Sequence, residues 1–158
     1  MRLTTPEQVK RYIAHPEIFE AISEDGMSFE EFEPVAGEED HFIVTAPESM
    51  FYLHPFCANV LQIHAHVHPD YRQHAFEGGI RALQYGFNEL SALKIVALIP
   101  EIFPRVRGFA HKCGFVDECF IDESYIKNGE IYGQYLLGIG RRKFESTLWD
   151  SPEKLPAK

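Results

Sequence analysis

Cysteine is scarce in this 158-residue chain, and Cys57, Cys113 and Cys119 form no C-x-x-C pair. An odd, scattered set does not make a disulfide framework; it reads as reduced, partly buried thiols of an intracellular protein. Basic residues are also in deficit. Fifteen Lys and Arg against 24 Asp and Glu give a formal charge of −9, which argues against a nucleic-acid partner, because phosphate backbones select basic surfaces. No apolar run approaches the length of a membrane span, so no membrane partner is expected. Met1-Arg2-Leu3-Thr4-Thr5 lacks the features of a signal peptide. A cytoplasmic setting is the expectation that follows.

What the chain does have is an ordinary globular balance. Hydrophobic residues make up 45%, with thirteen Phe and seven Tyr to fill a core. The length suits one domain. Residues 1–142 read as that domain, and residues 143–158 as a polar, proline-containing, loose tail. No internal repeat is visible.

Local signals set out the element order. Thr5-Pro6-Glu7-Gln8 predicts a helix start, with Thr5 as N-cap, Pro6 in the first turn and Gln8 closing a capping box. Val9, Tyr12 and Ile13 supply its apolar stripe. Pro16 begins a second short helix carrying Ile18, Phe19 and Ile22, which Asp25-Gly26 closes. Residues 28–40 are acidic and irregular, a solvated loop. Strands are predicted over 41–46, 50–53 and 60–67, and then a helix of about fifteen residues with Phe76, Ile80, Leu83, Phe87 and Leu90 on one face. Leu93 to Ile99 is a nearly continuous apolar run, as in a strand buried on both sides. Pro104 opens another helix, with Val106, Phe109, Ala110 and Cys113 inward and Gly114 as C-cap. A hairpin over 115–121 and 131–139 turns around Lys127-Asn128-Gly129. The order predicts a mixed α/β sheet of six to seven strands with helices on both faces.

Chemistry concentrates between Leu61 and Phe87. A strand that stops at Val67-His68-Pro69-Asp70-Tyr71-Arg72 and feeds into a helix offers backbone N–H groups and a helix dipole to an anion. His64, His66 and His68 alternate along that strand and share a face unless a bulge intervenes. Three imidazoles in a row fit a transition metal. They also fit a general base, since an imidazole near its ordinary pKa accepts a proton at neutral pH, or hydrogen-bonded packing residues. No partnering carboxylate is identifiable for a metal, and none is assigned. Glu101, just past the buried strand, is a further base candidate because loops at strand ends line clefts.

Three stretches carry a resemblance to the GNAT superfamily of acetyl-CoA-dependent N-acetyltransferases. Val67-His68-Pro69-Asp70-Tyr71-Arg72 resembles the family's V-x-P-x-[YF]-[RQ] lead into the cofactor-binding helix. Phe109-Ala110-His111-Lys112-Cys113-Gly114-Phe115 resembles its helix ending in a-x-K-x-G-F. Leu93 to Ile99 lies between them at the family's spacing. The resemblance spans residues 1–142 and implies a GNAT-like fold with acetyl-CoA as cosubstrate. It implies a pyrophosphate site on Arg72, Gln73, His74, Ala75, Phe76 and Glu77, and a pantetheine arm along the backbone of Ala65, His66 and Val67. Ala75 and Glu77 stand where the pattern has glycines, Phe103 where it has Asn, and Ala110 where it often has Tyr.

The implied reaction moves an acetyl group from acetyl-CoA to a primary amine by direct attack in a ternary complex, with His64, His66 or Glu101 taking the amine proton. A covalent acetyl-cysteine route needs an activated thiol, and neither Cys57 nor Cys113 shows a partner base. The alternative is a GNAT-fold protein with weak or lost catalysis, serving as a binding or structural module. Peptide, lysine, polyamine and amino-sugar acceptors all stay open. Tyr132, Tyr135 and Phe144 are candidate contacts for a homodimer.

Overall fold

The computed structural model describes residues 1–147 apart from 24, 35, 36 and 47. Seven strands form one sheet: β1 (Arg2–Leu3), β2 (His41–Ala46), β3 (Ser49–Cys57), β4 (Val60–Val67), β5 (Lys94–Pro100), β6 (Val116–Lys127) and β7 (Glu130–Gly140). Their spatial order is β1-β2-β3-β4-β5-β7-β6. All neighbours run antiparallel except β4 and β5. Five α-helices accompany them: α1 (Pro6–Ile13), α2 (Pro16–Ile22), α3 (Ala75–Gln84), α4 (Pro104–Lys112) and α5 (Arg141–Ser146). The mixed α/β architecture expected from the element order is the one observed.

Local chemistry explains most boundaries. The capping box of α1 is present, with the Thr5 side chain on the Gln8 N–H and the Gln8 side chain reaching back to the N-cap backbone. The β6–β7 hairpin turns on Asn128 and Gly129, both at positive φ (54° and 74°), the primed geometry whose twist matches paired strands. Asp25 fastens that turn to the end of α2 by accepting the Asn128 and Gly129 N–H groups at 2.7 and 2.8 Å. Lys127, buried, donates to the carbonyls of Glu20 and Ser23, satisfying oxygens that the helix leaves open at its C-terminus.

Two apolar clusters occupy the two faces of the sheet. One joins α3, α4 and α5 to the sheet through Ile80, Leu83, Phe87, Ile95, Leu137 and Phe144. The other joins α1 and α2 to the sheet through Leu3, Val9, Ile13, Ile18, Phe42 and Met50. Alternation in β3 sorts the side chains: Met50, Tyr52 and His54 point toward α1 and α2, while Phe51 and Leu53 point toward α3.

Several expectations are corrected. The two-residue strand β1 and the return of β3 through Ala58-Asn59 into β4 have no clear sequence signal. The helix expected after the Val67 junction is three consecutive pieces: a 3₁₀ helix (Pro69–His74), then α3, then a π turn (Tyr85–Glu89). Cys57 and Cys119 are exposed, and only Cys113 is buried. Val106 is 45% exposed rather than inward. The chain does not loosen at residue 143, because α5 continues to Ser146 and Phe144 is buried against Phe87 at 4.8 Å between ring centroids. Phe144 is therefore not available to a dimer contact. Residues 148–158 lie outside the described part.

Truncating Phe144 removes a ring that seals one end of the α3 cluster. Phe144→Ala is expected to cost about 3–5 kcal/mol, the usual range for a buried aromatic cut to a methyl. Urea unfolding followed by circular dichroism reads it directly, and a change near zero would mean that α5 does not belong to the core.

Candidate functional site

The parallel pair β4–β5 is incomplete. Val60, Leu61 and Gln62 pair with Lys94, Ile95 and Val96, and no further pairs form although β4 runs to Val67 and β5 to Pro100. Beyond Gln62 one backbone edge of β4 is left without a strand partner in the middle of the sheet. Unpaired backbone groups need other partners, and an extended ligand meets that need by adding as a strand. A cavity of about 600 Å³ occupies the gap. Val9 and Ile13 of α1, Ile22 of α2, and Phe32 and Glu33 line one end. Gly79 of α3 and Phe109, Ala110 and Cys113 on and after α4 line the other.

His64, Ala65 and His66 all line this cavity. His64 and His66 are in register with Tyr52 and Met50, so their side chains belong to the α1–α2 face. Burial, with His54 nearby, pushes the His64 pKa down to about 4. Burial and His64 push His66 down to about 3. Both are therefore neutral at physiological pH, with a lone pair available. The Nδ1 of His66 is buried and has no hydrogen-bond partner among the described residues. A buried polar atom left unpaired costs about 1–3 kcal/mol, so this nitrogen calls for a bound ligand or a water as its partner.

His68 departs from its two neighbours. It caps the 3₁₀ helix, its Nδ1 accepting the Asp70 N–H at 3.2 Å, and its ring meets His15 edge-on at 4.5 Å. The alternation breaks where the strand ends, and among the described residues no group of three or more His, Cys, Asp or Glu side chains is placed to hold a metal. Glu101, expected at the cleft, instead turns to β7 and accepts the Gly133 N–H at 2.8 Å.

The junction after β4 is more self-satisfied than its sequence implies. Tyr71 donates its N–H to His68 and Ala75 donates to Arg72, and the 3₁₀ bonds take up the donors between them. Gln73, His74 and Phe76 lie in this stretch outside the cavity lining, as does Val67. No side chain caps α3. Glu77, which stands where a phosphate would prefer glycine, is turned to Arg81 at 2.6 Å, so its charge is matched within the helix. Arg72 pairs with Glu17 of α2 at 2.9 Å, both side chains 60% exposed.

Sequence reasoning missed five polar residues that the fold brings to the cavity: Glu33, Tyr52, Gln62, Tyr125 and Gln134. It also missed His54, which hydrogen-bonds His64. Recognising β3 and β4 as one hairpin would have found Tyr52 and His54, because its register places Tyr52 opposite His64 and His54 two pairs away on the same face. Tyr125 is held protonated above its usual range by burial and then by Asp25. Cys113 is pushed up to about 12 by burial, which makes it a poor nucleophile.

The neutral buried histidines predict a pH dependence of stability. An unfolded imidazole takes up its proton near pH 6.5, whereas folded His64 and His66 resist until about pH 4 and 3. Below pH 6.5 the unfolded chain thus binds more protons, and stability falls with pH by about 1.4 kcal/mol per unit for each such group. Replacing one of them, as in His66→Phe, is expected to make the decline between about pH 6 and 5 shallower by about one proton. Urea unfolding across that interval measures the slope.

No family model and no curated protein matches the sequence. Solved structures do. A spermidine N-acetyltransferase SpeG chimera from Vibrio cholerae and hSSAT superposes with a TM-score of 0.76 at 19% identity, covering 93% of this chain and 98% of that one. Spermidine N-acetyltransferase from Vibrio cholerae in complex with CoA and spermine superposes at 0.72 and 19% identity, covering 88% and 91%. A second SpeG chimera gives 0.71 at 18%, covering 89% and 92%. Likeness at this identity speaks for architecture alone: the chain shares the fold of these spermidine N-acetyltransferase structures.

Proposed function

We propose that this protein transfers an acetyl group from acetyl-CoA to a primary amine of a cationic acceptor, with a polyamine as the best-supported class. The observation that carries the reading is the gap between β4 and β5, which connects the α1–α2 face to the α3–α4 face through one cavity. A thioester arm laid along the free edge of β4, near Ala65, His66 and Val67, brings its carbonyl to a point that an amine reaches from the other side. Holding both in one cavity supplies the orientation that aminolysis needs. One structural neighbour is a complex with CoA and spermine, which supports this choice of substrates.

The pyrophosphate is assigned to the start of α3, which no side chain caps, with Arg72 as the charged contact. The Arg72–Glu17 pair is exposed, so releasing Arg72 to a phosphate costs little. His64 or His66 takes the amine proton, being neutral and on the face toward α1 and α2.

Charge supports a cationic acceptor. Twelve of the 24 acidic residues lie between Arg11 and Arg72, and no Lys or Arg does. This segment builds α2, the 28–40 loop and β2 to β4, the wall on the α1–α2 side. Glu33 lines the cavity there, its carboxylate paired to Lys10 at 3.1 Å. Such a wall attracts a polyamine and repels an anionic acceptor.

The reading with lost catalysis also has an observation behind it, the internally bonded 3₁₀ junction at Pro69–His74. Calorimetry with acetyl-CoA separates the two. Micromolar binding, weakened by Arg72→Ala, together with thiol release on adding spermidine supports the transferase. No binding supports the module. For an active protein, Glu33→Gln is expected to raise the spermidine KM about fivefold, the size of one partly screened charge contact, while acetyl-CoA binding stays unchanged.

A further inference from the structure

The imidazoles of His54 and His64 form one stack with Tyr52. Ring centroids lie 4.7 Å apart for Tyr52–His54, 5.4 Å for Tyr52–His64 and 5.3 Å for the two histidines. The stack is anchored, since Tyr52 lies flat on Phe42 at 4.2 Å and its hydroxyl donates to Asp40 at 2.5 Å. Within it the Nε2 atoms of His54 and His64 are 3.1 Å apart. The Nδ1 of His54 is 3.1 Å from the Pro55 carbonyl oxygen.

For two uncharged rings these contacts select one pair of tautomers. A carbonyl only accepts, so neutral His54 carries its proton on Nδ1 and leaves Nε2 bare. A bare Nε2 accepts, so the proton in the bond between the rings belongs to His64 Nε2. The Nδ1 of His64 is then the nitrogen with the free lone pair. The order of roles parallels other sites in which one group orients a base and sets which of its nitrogens is basic.

We infer that His54 is a positioning residue that locks His64 in its Nε2–H tautomer and so makes His64 Nδ1 the acceptor of the amine proton. This rests on the acetyl-transfer reading. In the step it serves, the amine lone pair forms the new bond to the thioester carbonyl carbon. The carbon–sulfur bond breaks with its electron pair on sulfur, and the amine proton goes to His64 Nδ1. Positive charge arriving on the buried His64 ring is shared with His54 through the Nε2–H···Nε2 bond. His54 itself touches neither substrate in this assignment, because it does not line the cavity.

The test joins a spectroscopic and a kinetic readout. In ¹⁵N-histidine NMR of the free protein near about pH 7.5, His64 is expected to show an unprotonated Nδ1 and a protonated Nε2, and His54 the reverse. His54→Phe keeps a stacking ring but removes the acceptor, so His64 is expected to lose its single tautomer. The kcat then falls about tenfold or more, within what one general base contributes, while the acetyl-CoA dissociation constant stays unchanged. His54→Gln returns an acceptor oxygen and is expected to recover most of both signals. The opposite tautomer in the wild type, or an undiminished kcat in His54→Phe, overturns the lock. A wild type that acetylates no amine overturns the acetyl-transfer reading and the catalytic use of the lock, whereas the NMR result still decides whether the lock exists.

Discussion

Everything proposed for this molecule depends on one incomplete ladder. A parallel pair in the middle of a sheet normally runs its full length, because each unpaired amide buried there costs free energy. Here β4 and β5 share three residue pairs and then part. The seven-stranded sheet is divided into an N-terminal antiparallel half and a C-terminal one, joined only at that short seam. The space between them is the cavity, and its two ends belong to different apolar clusters. The two halves are held by more than the seam. Asp25 and Lys127 tie the β6–β7 turn of one half to α2 of the other.

The site's electrostatics follow from which half supplies which wall. The N-terminal half carries a long stretch with acidic residues and no Lys or Arg, yet the groups deepest in the cavity on that side are imidazoles kept neutral by burial. In the proposed reaction the negative rim draws a cationic acceptor toward these neutral nitrogens. Charging either histidine inside is disfavoured by burial. The stranded Nδ1 of His66 is a local energetic liability, and strain of this kind collects where function requires it.

Departures from the expected phosphate-loop pattern look different once side chains are placed. Glu77 does not oppose an anion with a free charge, because Arg81 neutralises it one turn on. Ala75 begins α3 and is followed by Gly78 and Gly79, both buried in that helix. A Cβ on Gly79 would meet Cys113 Sγ and Phe109 Cζ at 3.1 Å, so this glycine serves the packing of α3 on α4.

Short-range chemistry was enough to read much of the fold. The capping box at Thr5, the Asn128-Gly129 turn, the apolar run of β5 and the helical stripe of α3 each depend on neighbours a few residues away, and each is where its residues put it. The strand carrying His64 and His66 was also legible, from the junction motif that follows it. What tertiary structure alone decided was longer in range. The parting of β4 from β5, the arrival of Glu33 and Tyr125 at one cavity, the burial of Phe144 and the placing of Glu101 on β7 depend on contacts between distant segments, which no local pattern encodes. The His54–His64 pair is the clearest case. His54 by itself is an unremarked histidine in a strand, and only the register of β3 on β4 puts its Nε2 3.1 Å from that of His64. In the proposed lock, a carbonyl beside one ring sets where the proton sits on the other.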